Sequence, residues 1–297
     1  MKRSLALALM LCTLALSGCQ APPSGCALSS PAGSVSLPQS NHPEVLAVLQ
    51  NYRIVDGAES GTLVLAGDGE HEVYTLNVEN IPVFLDGQKA DPSVLEDGMM
   101  AEISFGGEIM ETWPAQFGGV TSISVHSLGS AENPGGTTYD LCGLYLQVLS
   151  DLWEKDAGLN GGAEYVSVDL NQAPGDLTEG EKAAIAWIFA GQHGVQPLTL
   201  TQEELAAEGY LTEVPLMSGE EGLQQPRRTF YTWEDGLLFS ITANQWAEGE
   251  RYSLPVVNFD AQKWRTPLGA YYFSNCTALW PQIGTWSGYE IGGEMIS

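Results

Sequence analysis

Between residues 44 and 128, apolar residues occur in short runs that are separated by turn-forming residues. In residues 72–78, polar and apolar side chains alternate with a period of two, which is typical of a strand with one buried face. Four other segments have a similar strand-like composition: 52–55, 61–66, 100–105 and 120–125. Together with a single helical turn over 92–96, these strands predict a small all-β barrel of the OB type.

After residue 136, apolar residues recur every three or four positions, which is the period of an α-helix. One predicted helix has an apolar face formed by Leu141, Leu144, Tyr145, Val148 and Leu152. The Thr-x-x-Glu patterns at 178–181 and 201–204 predict the starts of two more helices, and a strand is predicted over 165–170.

Strand-like segments then follow one another toward the C-terminus: 228–233, 237–246, 256–264, 268–279 and 286–291. Their short polar connections are typical of hairpins. Helices followed by consecutive strands predict an α+β domain with an antiparallel meander. The first choice of fold is a curved sheet wrapped around helices, as in cystatin-like or NTF2-like cones.

The composition between these patterns predicts two folded domains, at 44–128 and 137–297. Residues 129–136 are small and turn-forming and have no hydrophobic period, which is typical of a linker. Residues 19–43 are rich in Ser, Pro, Ala and Gly, which is the composition of a flexible tether.

The first 18 residues have the composition of a secretory signal peptide: Lys2 and Arg3 precede an apolar run from Ser4 to Leu16. That run is shorter than the roughly 20 residues that a membrane-spanning helix needs. The sequence Leu-Ser-Gly-Cys at 16–19 resembles the lipobox of bacterial lipoproteins, in which the cysteine is diacylglycerated and becomes the N-terminus. The resemblance implies export and anchoring through lipid on Cys19 to the extracytoplasmic face of the cell membrane. The alternative is an ordinary signal peptide.

Four further segments carry a second resemblance. Residues 108–116 (Glu-Ile-Met-Glu-Thr-Trp-Pro-Ala-Gln) resemble the Glu-Ser/Thr-x-Pro-Ala-Gln hairpin of small OB-like domains in lipoproteins of Gram-positive bacteria. Residues 153–160, 261–271 and 286–297 are similar to a C-terminal module that accompanies this domain in surface lipoproteins of gut anaerobes. The resemblance implies a two-domain surface lipoprotein and implies no activity.

The charge balance excludes several classes of partner. The chain has 11 Lys and Arg residues against 37 Asp and Glu residues, and its formal net charge is −26. This acidity argues against nucleic-acid binding through phosphates and against attraction to anionic lipid headgroups. The predicted barrel contains only Arg53 and Lys89 as basic residues, too few for a groove that binds single strands.

Sequence motifs of catalytic and metal sites are absent. His42, His71, His126 and His193 are scattered, without zinc-site spacing, and Gly-Thr-Trp-Ser-Gly at 284–288 is not a nucleophile elbow. We therefore expect no metal and no cofactor. A pair of carboxylates for glycoside hydrolysis stays open, because such residues are distant in sequence.

Cys142 and Cys276 fall in the same predicted domain. They predict either a disulfide, which would close a long loop, or two free buried thiols.

Tryptophan and positive charge both concentrate in the last predicted strands. The candidate ligand-binding residues are Arg228, Trp233, Lys263, Trp264 and Arg265. Tryptophan side chains stack on sugar rings or fill a core, and the basic residues frame an anionic ligand or pair with carboxylates.

Three functional hypotheses follow. The leading one is a non-catalytic, lipid-anchored surface protein that binds a ligand or partner in the cell envelope. The alternatives are an extracytoplasmic hydrolase of glycan or peptidoglycan and a protein-interaction or inhibitory module. Convergent carboxylates about 5 to 10 Å apart favour the hydrolase. An exposed aromatic row favours glycan binding, and one broad apolar patch favours a protein partner.

Overall fold

The computed structural model describes residues 48–57, 61–127, 140–214, 230–244, 256–279 and 288–297. The predicted signal peptide, the tether with Cys19, the linker at 129–136 and Arg228 lie outside the described residues. No helix in the described ranges is long and apolar enough to cross a membrane.

Nine short strands form the first sheet. They are β1 (Val48–Asp56), β2 (Thr62–Ala66), β3 (Val73–Asn77), β4 (Val83–Leu85), β5 (Gln88–Ala90), β6 (Met100–Phe105), β7 (Glu108–Met110), β8 (Ala115–Gly118) and β9 (Ser122–Val125). The predicted strands correspond to β1, β2, β3, β6 and β9. The predicted helical turn is a 3-10 turn over Pro92–Val94, which Asp91 caps by accepting a hydrogen bond from the Ser93 amide at 3.0 Å.

Strands β8 and β9 pair with the two opposite sides of a central four-stranded array. β1, β2 and β3 are antiparallel neighbours in that order, and β6 pairs antiparallel with β1. β8 lies parallel to β3, with Ala115 opposite Tyr74, whereas β9 pairs antiparallel with β6. Because only residues 119–121 separate β8 from β9, one continuous segment contacts both ends of the β3-β2-β1-β6 array. The apolar side chains on its inner side form one core.

The remaining elements comprise three helices, a seven-stranded sheet and a two-stranded sheet. The helices are α1 (Leu141–Glu154), α2 (Glu179–His193) and α3 (Gln202–Ala207). The strands are β10 (Tyr165–Gln172), β11 (Gln196–Leu198), β12 (Thr212–Val214), β13 (Phe230–Thr232), β14 (Gly236–Ala243), β15 (Val256–Thr266), β16 (Gly269–Leu279), β17 (Tyr289–Glu290) and β18 (Gly293–Ile296). A 3-10 turn over Ala157–Asn160 follows α1.

The second sheet is mixed, with strand order β11-β10-β14-β15-β16-β17, and β18 also pairs with β16. The predicted antiparallel meander is confirmed for β14, β15, β16 and β17. It is wrong for its first strand, because β13 pairs with β12 and not with β14. The sheet also extends beyond the meander, since β10 pairs in parallel with both β11 and β14. Parallel neighbours need a crossover connection, and α2 supplies it between β10 and β11. β12 and β13 pair separately from this sheet.

The helix starts follow the local sequence patterns. Thr178 and Glu181 form a complete capping box at the start of α2, and Thr201 and Glu204 form another at the start of α3. Each threonine hydroxyl accepts from the glutamate amide, and each glutamate carboxylate accepts from the threonine amide. The predicted apolar face of α1 is buried against the second sheet.

Cys142 on α1 and Cys276 on β16 lie in the same core as free, buried thiols, which is the second of the two sequence-based alternatives. Burial raises the pKa of Cys276 to about 12, and burial also raises the pKa of Cys142. Both side chains therefore behave as small apolar groups in this core.

Helix α2 packs on the outside of the first sheet. Val55, Val64, Ala66 and Val73 belong to the core that α1, α2 and the second sheet form, and not to the core inside the first sheet. The α2 N-terminus contacts the turn after β2, where the Thr178 hydroxyl donates to the Gly67 carbonyl at 2.7 Å.

A partly buried ion pair adds to this contact. The Arg53 guanidinium on β1 donates to Glu181 on α2 at 2.9 Å and to the Gly98 carbonyl at 2.7 Å. Glu181 is buried and also completes the α2 capping box. The first sheet and α2 are therefore joined by both apolar packing and a shared polar cluster.

Candidate ligand-binding groove

The second sheet has one face that α1 and α2 do not cover, and we call it the outer face. Side chains alternate along each strand, so Leu237, Phe239 and Ile241 point into the helix-covered core while the residues between them lie on the outer face. The outer-face residues are Leu238, Ser240 and Thr242 on β14, Asp260, Gln262 and Trp264 on β15, and Ala270, Tyr272 and Ser274 on β16.

The register places these side chains in rows across three strands. Leu238, Trp264 and Ala270 are direct partners and form an apolar row. The next row consists of Ser240, Gln262 and Tyr272, so each of the three strands contributes one polar side chain to it. Thr242 pairs with Asp260 in a third row, and Ser274 lies beside it where the β15–β16 register shifts. The outer face thus changes from apolar to polar along the strand direction.

Helix α3 and strand β13 stand over the apolar row and leave a groove beside it. The groove has a volume of about 710 Å³. Its lining residues are Gln202, Glu203, Ala206, Ala207, Phe230, Tyr231, Gln262, Trp264, Pro267 and Tyr272. A volume of this size is within the range of small-molecule sites in proteins.

Aromatic rings and side-chain amides dominate the chemistry of the groove. Phe230 is 36% exposed, Tyr231 and Tyr272 are half-buried, and Trp264 is only 6% exposed at the floor. Gln202 and Gln262 supply amides, and Glu203 supplies a carboxylate. Lysine, arginine and histidine do not occur among the described lining residues, so this described lining presents no positive charge to an anionic ligand.

Gln262 and Tyr272 form a polar pair in the middle row. The Gln262 amide nitrogen donates to the Tyr272 hydroxyl oxygen at 3.3 Å. An amide has two N–H groups and an acceptor oxygen, and a phenol both donates and accepts. The pair therefore retains one N–H, one O–H and the amide oxygen for a ligand with hydroxyl groups.

A smaller cavity of about 160 Å³ continues from the groove along the outer face. It shares Gln262 and Tyr272 with the groove and is also lined by Ser240, Thr242, Asp260, Ala261, Phe273, Ser274 and Met295. One Asp260 carboxylate oxygen accepts from the Asn244 side-chain amide at 2.9 Å and from the Asn275 backbone amide at 2.7 Å. Asp260 is thereby fixed in position at the polar end of the outer face.

The sequence-predicted candidates do not form one site. Trp264 lines the groove. Trp233 does not, because it is fully buried in the core under α3, where its ring contacts the Tyr210 ring at a centroid distance of 6.1 Å. Arg228 lies outside the described residues.

Lys263 points to the opposite side of β15 from Trp264 and is fully buried. Its ammonium group donates to the Trp153 carbonyl at 3.2 Å, the Asp156 carbonyl at 3.3 Å, the Asn160 side-chain oxygen at 3.1 Å and also the Lys155 carbonyl. These acceptors belong to the C-terminus of α1 and the turn after it, where a cation offsets the unpaired carbonyls and the helix dipole. Burial lowers the pKa of Lys263 to about 8.

Arg265 also binds backbone carbonyls. Its guanidinium donates to Leu159 at 2.5 Å, Gly161 at 2.7 Å and Trp233 at 3.2 Å, and also to the Glu234 carbonyl. Neither Lys263 nor Arg265 lines the groove, and their hydrogen-bond partners among the described residues are backbone carbonyls and the Asn160 side chain and not carboxylates. Their positive charge stabilises the loop between α1 and β10.

Most groove residues were missed in the sequence, including Gln202, Tyr231, Gln262 and Tyr272. One signal was available, because Gln262 and Trp264 are two positions apart in a strand and so share a face. The contribution of α3 and β13 had no comparable signal, since both elements pack on the sheet from distant parts of the chain.

The first sheet offers a poorer candidate. A cavity of about 800 Å³ lies beside the segment 77–83, and its described lining contains no aromatic side chain. In OB barrels the face of the second and third strands binds ligands. Here Val64 on β2 and Val73 on β3 are covered by α2. The groove on the second sheet is therefore the candidate site.

Known proteins give no guide to the ligand. The chain matches no protein-family model, no curated protein and no solved structure. Among the described residues, no group of three or more His, Cys, Asp or Glu side chains is arranged to hold a metal ion. A function has to be inferred from the geometry and the chemistry of the groove.

Proposed function

We propose that the protein is a lipid-anchored, extracytoplasmic bacterial surface protein that binds a neutral glycan of the cell envelope in the groove, without catalysis. The signal-like N-terminus and the resemblance of residues 16–19 to a lipobox support the location. The groove supports the binding function.

The observation that carries the proposal is the combination of aromatic rings and side-chain amides, with no cation among the described lining residues. Aromatic faces contact the C–H faces of sugar rings, and amides exchange hydrogen bonds with sugar hydroxyls. Phe230, Tyr231 and Tyr272 supply exposed ring surface, and Gln202 and Gln262 supply the amides. A net charge of −26 disfavours an anionic polymer at any part of this surface.

The hydrolase alternative receives less support. Glycoside hydrolysis uses two carboxyl groups about 5 to 10 Å apart on opposite sides of one bond. Glu203 is the single described carboxylate of the groove, and Asp260 is that of the smaller cavity. Asp260 is also held in position by two hydrogen-bond donors, the Asn244 side-chain amide and the Asn275 backbone amide.

A protein partner is also less favoured. The most exposed large apolar side chains, Leu49, Leu268, Met295 and Ile296, belong to neither α3 nor β13, and of these only Met295 contacts the smaller cavity. Phe230 is the exposed apolar residue of the groove itself.

The finer fold assignments belong to the same proposal. We propose that the first sheet is an OB-like barrel, which is supported by the β1-β2-β3 meander, the pairing of β6 with β1 and the parallel contact of β8 with β3. For the second sheet we keep the cystatin-like or NTF2-like cone as the proposal, which is supported by the helices that pack on one face of the sheet. In this proposal the barrel supports α2 and does not bind the ligand.

Binding is tested with the purified chain by calorimetry against neutral oligosaccharides and by affinity electrophoresis in neutral polysaccharides. Phe230→Ala is expected to weaken binding about tenfold or more, as the loss of a central aromatic contact does in other sites. Trp113→Ala is the matched control, because it removes a 49% exposed ring from the first sheet and leaves the groove unchanged. Absence of binding to any neutral glycan, or equal effects of both changes, would contradict the proposal.

Anchoring is tested separately in cells. Cys19→Ala removes the sulfur that accepts the lipid, so the protein is expected to leave the membrane fraction and to lose incorporation of labelled fatty acid. Cys26→Ala, which changes another cysteine of the predicted tether, is expected to do neither. Unchanged membrane fractionation of Cys19→Ala would refute the lipobox interpretation.

A further inference from the structure

The smaller cavity is continuous with the groove. Gln262 and Tyr272 line both, and they occupy the middle of the three rows on the outer face. A ligand that contacts this pair from the groove therefore has open space on its other side. The aromatic groove and the smaller cavity are two parts of one surface.

The two parts have different chemistry. The groove supplies the ring surfaces of Phe230 and Tyr231, whereas the smaller cavity supplies the hydroxyls of Ser240, Thr242 and Ser274. Asp260 adds a carboxylate there, with one oxygen already held by Asn244 and the Asn275 amide. The other oxygen is an acceptor for ligand hydroxyls, and a carboxylate is the stronger kind of acceptor for them.

The dimensions favour an extended ligand. Successive rows are separated by two residues of a strand, so the three rows span about 13 Å. That distance exceeds one sugar ring. The smaller cavity, at about 160 Å³, has the volume of roughly five water molecules in the liquid, which suits one further ring and not a long branch.

We propose that the groove and the smaller cavity are two subsites for consecutive units of one linear, neutral polysaccharide that runs along β15 and β16. One sugar unit stacks on the aromatic residues beside Trp264, the Gln262–Tyr272 pair binds the junction, and the next unit binds to the Asp260 end. The site therefore recognises the interior of a polymer and not a free monosaccharide. This inference rests on the proposed function, that the groove binds a neutral glycan.

The test is a calorimetric series with the full chain and neutral β-1,4-linked gluco-, xylo-, manno- and N-acetylglucosamine oligosaccharides of one to six units. For the series that binds, affinity is expected to rise at least tenfold between the shortest ligand that binds and a ligand long enough to enter both subsites, and then to level off. Thr242→Leu places a larger apolar group in the smaller cavity at an exposed strand position, where folding tolerates it.

Thr242→Leu is expected to bind the shortest ligand as the unchanged protein does and to lose the gain with length. Thr75→Leu, the same change on β3 of the first sheet, is expected to retain that gain. Binding without any dependence on length, or an equal loss for short and long ligands in Thr242→Leu, would overturn the two-subsite inference and leave the proposed function standing. Absence of binding at every length in all four series would overturn both.

Discussion

Two consecutive residues of strand β15, Lys263 and Trp264, lie on opposite faces of the sheet and have different roles. Lys263 faces the helices, is fully buried and binds the carbonyls at the end of α1. Trp264, the next residue, faces away and forms the floor of the groove. The difference teaches that a concentration of Trp, Lys and Arg along a strand is not one site, because alternation divides it between two environments.

Lys263 and Arg265 also show why this acidic chain has positive charge on the side of the second sheet that faces the helices. A helix ends with carbonyl groups that have no partner within the helix. Lys263 and Arg265 bind carbonyls at the end of α1 and in the turn after it, from Trp153 to Gly161, and so hold this turn against the sheet. The outer face, in contrast, leaves its amides and hydroxyls available.

Among the substitutions that test the difference between the two faces, Lys263→Met is expected to change the free energy of unfolding most. Lys263→Met keeps the aliphatic stem but removes the donor shared by the Trp153, Lys155 and Asp156 carbonyls and the Asn160 side-chain oxygen. We expect the free energy of unfolding to fall by about 3 to 5 kcal/mol, because several partly buried acceptors lose a charged donor at once and each such loss costs about 1 to 3 kcal/mol. Urea denaturation measures it, and Lys89→Met, at an exposed position of the first sheet, is the control with an expected change near zero.

Arg265 is expected to have the next largest effect. Arg265→Ala removes one side chain that bridges the carbonyls of Leu159, Gly161 and Trp233. The expected loss is about 1.5 to 3 kcal/mol, because hydrogen bonds to a charged group contribute in that range. Arg265→Lys keeps the charge but not the planar fork and should recover only part of this loss. Full recovery would show that charge alone, and not the bridging geometry, is what matters.

The smallest expected effect on stability is a pH dependence of the unfolding free energy that comes from His193. This ring stacks on Trp153 at 3.9 Å, and burial lowers its pKa below the ordinary value of 6.5, while Glu154 acts in the opposite direction. The unfolded chain therefore binds a proton more readily, so stability is retained above pH 6.5 and lost as pH falls below it.

His193→Phe is expected to keep the stack and to reduce the fall in unfolding free energy that the unchanged protein shows on acidification below pH 6.5. His71→Phe is the matched control, since His71 is exposed and also contacts a tryptophan ring, that of Trp113. An acid sensitivity that is the same in both variants would contradict the role of His193.

Local features of this fold were predictable from the sequence. The Thr178 and Thr201 capping boxes, the apolar face of α1 and the positions of the main strands all depend on residues within a few positions of one another. The parallel pairing of β10 with β14 was not predictable in this way, because more than sixty residues separate the two strands. Local patterns define elements, and tertiary packing decides which elements become neighbours.

The same limit applies to the residues that line the groove. Trp264 was identified by residue type, whereas the role of Lys263 depends on the end of α1, more than a hundred residues earlier in the chain. Tyr231 and Gln202 reach the groove only because β13 and α3 pack over the outer face. The alternation of side chains along β15 predicts that Lys263 and Trp264 lie on opposite faces of the sheet. It does not predict which residues contact them.

The most direct test of the division between the two faces is a paired measurement of glycan affinity and unfolding free energy in Gln262→Met and Lys263→Met. Gln262→Met keeps the length of the side chain and removes the amide from the groove. The account predicts that Gln262→Met loses about tenfold or more in affinity for the neutral glycan, equivalent to about 1.4 kcal/mol, with a change in unfolding free energy below about 1 kcal/mol. Lys263→Met should show the reverse, a large loss of stability with unchanged affinity in the folded fraction. Two results would contradict the proposed division between the faces. One is an unchanged glycan affinity in Gln262→Met. The other is a loss of glycan affinity in folded Lys263→Met that is as large as the loss in Gln262→Met.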